Sequence, residues 1–260
     1  MKTALVTGAC INTGVAIVEK FLSEGYSVIF TGRSPEKVKS AETEYKKKFP
    51  EAAVIGYCIN SLKDERTVDE EAVEKLFAFM DGKKMLAETV VLNAADQGLG
   101  MEIFKNPLTD FMRVINTNMT WNYCICEYAA KRMKENGRGS IVFVNSNTAY
   151  RAIPNRIAYS ASKSGQLGMM RAMALDLGKY NIRVNAVLPG MIKTDRWDKN
   201  PEFYANVPSR YTPLGDVAVG SDVADAVWYF AAHARNTTGA ELVVDGGNTI
   251  QLYPIIPKEQ

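Results

Sequence analysis

Residues 3–14 read Thr3-Ala4-Leu5-Val6-Thr7-Gly8-Ala9-Cys10-Ile11-Asn12-Thr13-Gly14. The first five form a short apolar strand. The two glycines then bracket a turn whose backbone can bend sharply and approach a ligand closely. In residues 15–23 the apolar side chains Val15, Ile17, Val18, Phe21 and Leu22 fall on helical spacing, and Gly25 closes that helix as a C-terminal cap. A second apolar strand follows at residues 27–31. Strand, turn, helix and strand are thus complete within about 30 residues, the parallel unit whose helix N-terminus attracts a nucleotide pyrophosphate.

The alternation continues outward from this unit. Pro35 opens a helix running through Lys48, and residues 53–58 are a third strand. An acidic segment leads into a helix ending near Met80, and the apolar run 89–92 is a fourth strand ending at Asn93. Residues 110–133 predict one long helix, 141–144 a fifth strand, 157–178 another helix, and 182–187 a sixth strand stopped by Pro189-Gly190. Residues 191–216 lack strong periodicity but carry Trp197, Phe203, Tyr204 and Tyr211, which reads as a substrate loop. Ser221-Asp222 caps a helix reaching His233, and residues 241–244 are a seventh strand. The fold class is α/β: a doubly wound, Rossmann-type parallel sheet of about seven strands with helices on both faces. No linker, repeat or composition break divides it, so residues 1–260 read as a single domain. The apolar tail 252–257 is expected to pack on its own domain or on a neighbouring subunit.

Composition excludes several classes. Apolar residues make up 47% of the chain, enough for a sizeable core. A net charge of +2 gives no support for a nucleic-acid partner. The single histidine, His233, leaves no material for a His-rich metal site, and no metal is expected. No apolar run is long enough for a membrane span. No signal peptide is visible, and the four cysteines form no Cys-x-x-Cys pair, so reduced thiols in the cytoplasm are the expectation. Cys10 lies in the first turn, where a helix N-terminus can lower a thiol pKa; the alternative is an inert small side chain.

The chemistry is concentrated between Ser146 and Lys163. Ser146 follows the fifth strand, and Tyr159 and Lys163 stand four apart, on one face of a helix. A phenol has an ordinary pKa of about 10, and a neighbouring ammonium lowers it. Such a phenol can exchange a proton with a carbonyl or alcohol oxygen, which Ser146 can hold. With 12 Tyr among 260 residues, a Tyr-x-x-x-Lys pair by itself is expected by chance; its meaning depends on its surroundings.

Taken together, these motifs resemble the short-chain dehydrogenase/reductase family, in its single-domain branch, over nearly the whole chain. The family's first turn matches at Thr7, Gly8 and Gly14, with Asn12 in place of its middle glycine and Thr13 beside it. Asn93 and Ala94, Asn118, Ser146, the segment from Tyr159 to Lys163, Pro189-Gly190 with Thr194, and Val243-Val244-Asp245-Gly246-Gly247 match further family motifs in order. The resemblance implies a nicotinamide cofactor and proton transfer by Tyr159. Lys163 lowers the Tyr159 pKa and binds the nicotinamide ribose, Ser146 bonds the reacting oxygen, and Asn118 holds a water linking Lys163 to solvent. Pro189, Gly190, Ile192 and Thr194 meet the carboxamide side.

After the second strand an NAD-selective site carries a carboxylate. Here Gly32 takes that place and Arg33 follows, which suits the 2′-phosphate of NADP(H) over NAD(H). Asn60 is expected beside the adenine. Tyr150, Ile153, Met191, Trp197 and Tyr204 are the expected pocket wall for a small-molecule carbonyl or alcohol substrate. Candidate activities are 3-oxoacyl-thioester reduction, hydroxysteroid oxidation, and sugar or polyol oxidation. The basic residues Lys131, Arg132, Lys134 and Arg138 either greet an acyl carrier protein or are plain surface. A non-catalytic dinucleotide-sensing regulator is the competing class. A homo-oligomer, tetramer or dimer, is expected from the resemblance.

Overall fold

The computed structural model describes residues 2–254, with the side chains of Asp195, Arg196 and Phe203 outside that description. Seven parallel strands form one sheet: β1 (Thr3–Val6), β2 (Ser27–Gly32), β3 (Val54–Cys58), β4 (Ala87–Leu92), β5 (Gly139–Val144), β6 (Ile182–Pro189) and β7 (Glu241–Val244). Their order is β3-β2-β1-β4-β5-β6-β7. The direction of winding therefore reverses between β1 and β4, and a crevice opens there beyond the strand C-termini.

The strands are continuous apolar runs because both faces of the sheet are covered. Along β5, Ile141 and Phe143 enter one core cluster and Val142 and Val144 the other. Helices α1 (Asn12–Ser23) and α2 (Pro35–Lys48) contribute to one face, as does a helix at Gly220–Trp228. Helix α3 (Glu70–Gly82) and the helices at Trp121–Glu135 and Ile157–Gly178 contribute to the other. Gly25, with φ +77°, supplies the left-handed residue that ends α1.

Two expectations are corrected. The long helix over 110–133 is two helices, α4 (Leu108–Ile115) and α5 (Trp121–Glu135), joined by a π-helical turn at Asn116–Thr120. That turn holds Asn118, and its extra residue is stabilised by tertiary bonds described below. Residues 191–216 are not a bare loop. After α6 (Ile157–Gly178) and β6 come three short helices, α7 (Asp195–Lys199), α8 (Pro201–Tyr204) and α9 (Val207–Tyr211), then α10 (Gly220–Trp228). Proline opens α8 and lies in the first turn of α9. Helix α10 begins one residue before the expected Ser221-Asp222 cap: Val219 is the N-cap, and Asp222, inside the first turn, accepts from the Val219 N–H at 2.7 Å. Of the apolar tail, Leu252 and Tyr253 are exposed, and residues 255–257 lie outside the described residues.

Candidate active site

The crevice is a cavity of about 550 Å³. Its phosphate end is built by the turn between β1 and α1. Gly8 has φ +65° and Asn12 φ +50°, so the turn uses two left-handed positions, one of them at an Asn, which tolerates that conformation. A Cβ on Gly8 would stand 2.7 Å from Ala94 Cα, and one on Gly14 2.6 Å from Ala9 Cα. The glycines thus allow the first turn to press against the segment after β4. Thr7 locks that contact: its hydroxyl accepts from the N–H of Asn93 and of Ala94, each at 3.0 Å. Asn93 in turn donates to the carbonyls of Thr7 (3.0 Å) and Gly8 (2.9 Å). Thr7 is fully buried and does not line the cavity, whereas Gly8, Asn12, Thr13, Gly14, Asn93 and Ala94 do. Thr7 thus serves as a structural clamp beneath the turn.

At the end of β2 the cavity is lined by Gly32, Arg33, Ser34 and Lys37. Ser34 caps α2 by accepting from the Lys37 N–H at 3.3 Å, so the positive end of that helix and two cations share one corner. Lys37 is missing from the sequence reading, although its place in the first turn of α2 was the available signal. A Cβ on Gly32 would lie 2.4 Å from the Cys10 sulfur and 2.8 Å from Val38 Cγ2. Cys10 therefore fills the space that a side chain at position 32 would need. Burial, followed by neighbouring Cys58, pushes the Cys10 thiol above its usual range, in line with an inert small side chain and not with a thiol lowered by the helix N-terminus. Asn60 is exposed and outside the lining, where Ile59 and Ser61 stand instead.

At the other end, Ser146, Tyr159 and Lys163 converge on the cavity. Strand β5 delivers Ser146, and the first two turns of α6 deliver the other two. Lys163 is 1% exposed and donates to the Val144 carbonyl at 2.9 Å and to Gln166 Oε1 at 3.3 Å. Its Nζ lies 5.6 Å from the centroid of the Tyr159 ring. Burial lowers Lys163 to about 7. Burial also raises the Tyr159 phenol, opposed by a hydrogen bond from Ser146 and by the charge of Arg156. The expected net lowering of Tyr159 is thus reversed here, since desolvation of the phenolate outweighs these favourable contacts. Asn118 is fully buried behind the pair rather than in the cavity lining. Its side chain accepts from the Asp96 N–H at 2.7 Å and donates to the Asp96 carbonyl and Ser162 Oγ, each at 2.9 Å. These bonds hold the π-helical turn open. Asn145 and Gln166, absent from the sequence reading, complete the buried polar cluster.

Pro189, Gly190, Ile192 and Thr194 line the cavity beside Tyr159. Of the expected pocket wall, Trp197 and Tyr204 line it and stack with centroids 4.3 Å apart. Tyr150, Ile153 and Met191 do not. Tyr150 instead bonds the Glu241 carboxylate on β7, and Ile153 is exposed. Tyr150 and Ile153 lie in the connection between β5 and α6 and are exposed, whereas Met191, just after β6, is half-buried. The basic residues of the expected surface patch have acidic or aromatic partners. Lys131 pairs with Glu127, Arg132 with Asp81 and Arg138 with Glu88, and Lys134 lies over the Tyr180 ring. His233 packs on Trp228 away from the cavity. Among the described residues, no cluster of metal-ligating side chains occurs and no helix is long and apolar enough to cross a membrane.

A parallel sheet with a glycine-lined phosphate turn at its switch point, facing a Ser, Tyr and Lys cluster, defines a dinucleotide-dependent oxidoreductase. A family pattern described as enoyl-(acyl carrier protein) reductase matches residues 8–249. The chain is 32% identical over 248 residues to the 3alpha-hydroxysteroid dehydrogenase of Mediterraneibacter gnavus, covering 94% of this chain and 96% of that protein. It is 30% identical over 247 residues to the 3-oxoacyl-[acyl-carrier-protein] reductase FabG of Rickettsia felis, covering 95% and 96%. The solved structure of ElxO with NADP bound is similar with a TM-score of 0.84 at 28% identity, covering 96% of this chain and 99% of that one. The chain belongs to the short-chain dehydrogenase/reductase family.

Proposed function

We propose that the chain catalyses reversible hydride transfer between NADP(H) and a ketone or its secondary alcohol, with Tyr159 as acid and base. The observation that carries this is the convergence of Ser146, Tyr159 and Lys163 at one end of the dinucleotide-sized cavity. The cofactor, when bound, supplies or accepts the hydride. Gly8 and residues 12–14 would hold its pyrophosphate, Arg33 and Lys37 its 2′-phosphate, and Gly190, Ile192 and Thr194 its nicotinamide side. The crowding at Gly32 supports NADP(H), because a ribose-binding carboxylate there would have to displace the Cys10 sulfur and Val38.

In ketone reduction Tyr159 gives its proton to the carbonyl oxygen as the carbon gains the hydride, leaving an alcohol and a phenolate. A phenol raised by burial is fully protonated at neutral pH and ready to donate. Ser146 donates a hydrogen bond to the same oxygen and fixes its position. The Lys163 ammonium stabilises the phenolate that results. Alcohol oxidation runs these steps backwards.

A flat apolar ketone, as in hydroxysteroid chemistry, fits best, because the stacked Trp197 and Tyr204 offer a planar apolar wall. Carrier-protein thioesters fit less well, since the basic patch is occupied by its own partners. The continuous sheet supports a single domain, and the free cysteines suit a reducing cytoplasm. Exposed Tyr123 and Leu175 on α5 and α6 suit a dimer or tetramer. A panel of steroid, 3-oxoacyl and sugar ketones, followed by NADPH consumption, tests the reading. Turnover of a member supports it; NADPH binding without turnover of any would favour the dinucleotide-sensing regulator.

A further inference from the structure

Gln166 is a neutral amide, 1% exposed, three residues beyond Lys163 on the same face of α6. Its Oε1 accepts from Lys163 Nζ at 3.3 Å and from Asn145 Nδ2 at 3.0 Å. Its Nε2 donates to the main-chain carbonyl of Asn118 at 2.6 Å. That carbonyl also accepts from Asn122 Nδ2 at 2.9 Å, so both of its lone pairs are engaged by protein amides. An ammonium has three N–H groups. Two of those on Lys163 point inward, to Val144 and Gln166, and the third is left for the cleft.

We propose that Gln166 is a positioning residue for the Tyr159–Lys163 pair: its amide spans Lys163 and the Asn118 carbonyl, holds the ammonium in one orientation, and takes the position on Asn118 that a relay water would need. The proposal rests on the reading of Lys163 as the support of Tyr159. An amide hands on no proton at neutral pH, so the inner end of the chain is closed and the pair exchanges protons through the cleft. From its own helix Lys163 is faced by Tyr159, on which the Arg156 charge also acts. From β5 and the π-helical turn it is faced by neutral groups of Val144, Asn145 and Asn118.

The test is a nuclear magnetic resonance titration of the full chain labelled with carbon-13 at lysine Cε. Lys163 titrates near neutral pH, apart from ordinary lysines, and its resonance is the one missing in Lys163→Met. In Gln166→Met the ammonium loses an acceptor, so its midpoint falls by about one pH unit. In Gln166→Glu the acceptor becomes anionic, and the midpoint rises by about one unit or more. Opposite displacements support the proposal. Midpoints unmoved in both variants, or moved the same way, overturn it, because a purely structural side chain would lower thermal stability without selecting a sign. Should Gln166→Met fail to fold, Gln166→Glu decides alone: a rise supports the anchor and no change rejects it. The titration needs no turnover. Displaced midpoints together with a fully active Tyr159→Phe protein would keep the anchor and discard the catalytic reading.

Discussion

Replacing Lys163 by Met removes a buried ammonium whose pKa burial lowers from 10.5 to about 7. The consequence for stability has a definite sign. Between those two values the unfolded chain binds a proton that the folded chain does not, so folding becomes more favourable as pH rises. The slope approaches about 1.4 kcal/mol per pH unit, and from pH 7 to pH 9 the gain is about 2 kcal/mol. Below about pH 6 both states hold the proton and the contribution is flat. The variant cannot titrate. It also removes the Lys163 bonds to the Val144 carbonyl and to Gln166 Oε1, which keeps Asn145, but that loss does not depend on pH. The difference between the two proteins therefore isolates the lysine. Urea unfolding of wild type and Lys163→Met at pH 6, 7, 8 and 9 is the assay. The wild type should gain about 2 kcal/mol on the variant between pH 7 and 9. Parallel stability curves, or a wild type that loses ground as pH rises, would refute the claim that this ammonium is desolvated.

Three further outcomes follow from the geometry. Thr7→Val leaves the N–H groups of Asn93 and Ala94 without their acceptor and should cost about 2–5 kcal/mol in urea unfolding; a loss below about 1 kcal/mol would show that the clamp is dispensable. Arg33→Ser should weaken NADPH binding by about tenfold or more while leaving NADH within about twofold, as read by fluorescence titration; equal losses for both cofactors would remove Arg33 from the 2′-phosphate. Gly32→Asp alone should gain no NADH affinity and cost about 1–3 kcal/mol, because its Cβ meets the Cys10 sulfur. The Cys10→Gly, Gly32→Asp double variant should bind NADH more tightly than either single variant, and equal affinities in all three would show that Cys10 is no barrier.

What the sequence revealed follows from where each signal is stored. The seven strands were legible because parallel strands covered on both faces are unbroken apolar runs punctuated by Gly, Pro and Asn. The Ser146, Tyr159 and Lys163 set was legible because its spacing lies within one strand and one helix. The π-helical turn at Asn118 was hidden, since the bonds that hold it go to Asp96 and Ser162, distant in sequence. Gln166 was hidden for the same reason: only the fold brings it between Lys163 and Asn118. The helices over 195–211 are too short to show periodicity. Asn60, Tyr150, Ile153 and Met191 were misplaced because motif position predicts the strand end reached, while the direction of a side chain there depends on the local path of the loop. The lowered phenol was expected from charge alone, and burial, which sequence does not give, dominates it.

In the proposed reaction Tyr159 is the proton donor to the substrate oxygen. Its most direct test is Tyr159→Phe, which keeps the ring in the cleft and removes only the hydroxyl. With whichever ketone the wild type reduces, kcat should fall by about a hundredfold or more while NADPH binding stays within about twofold. Equal kcat in the two proteins would contradict the account.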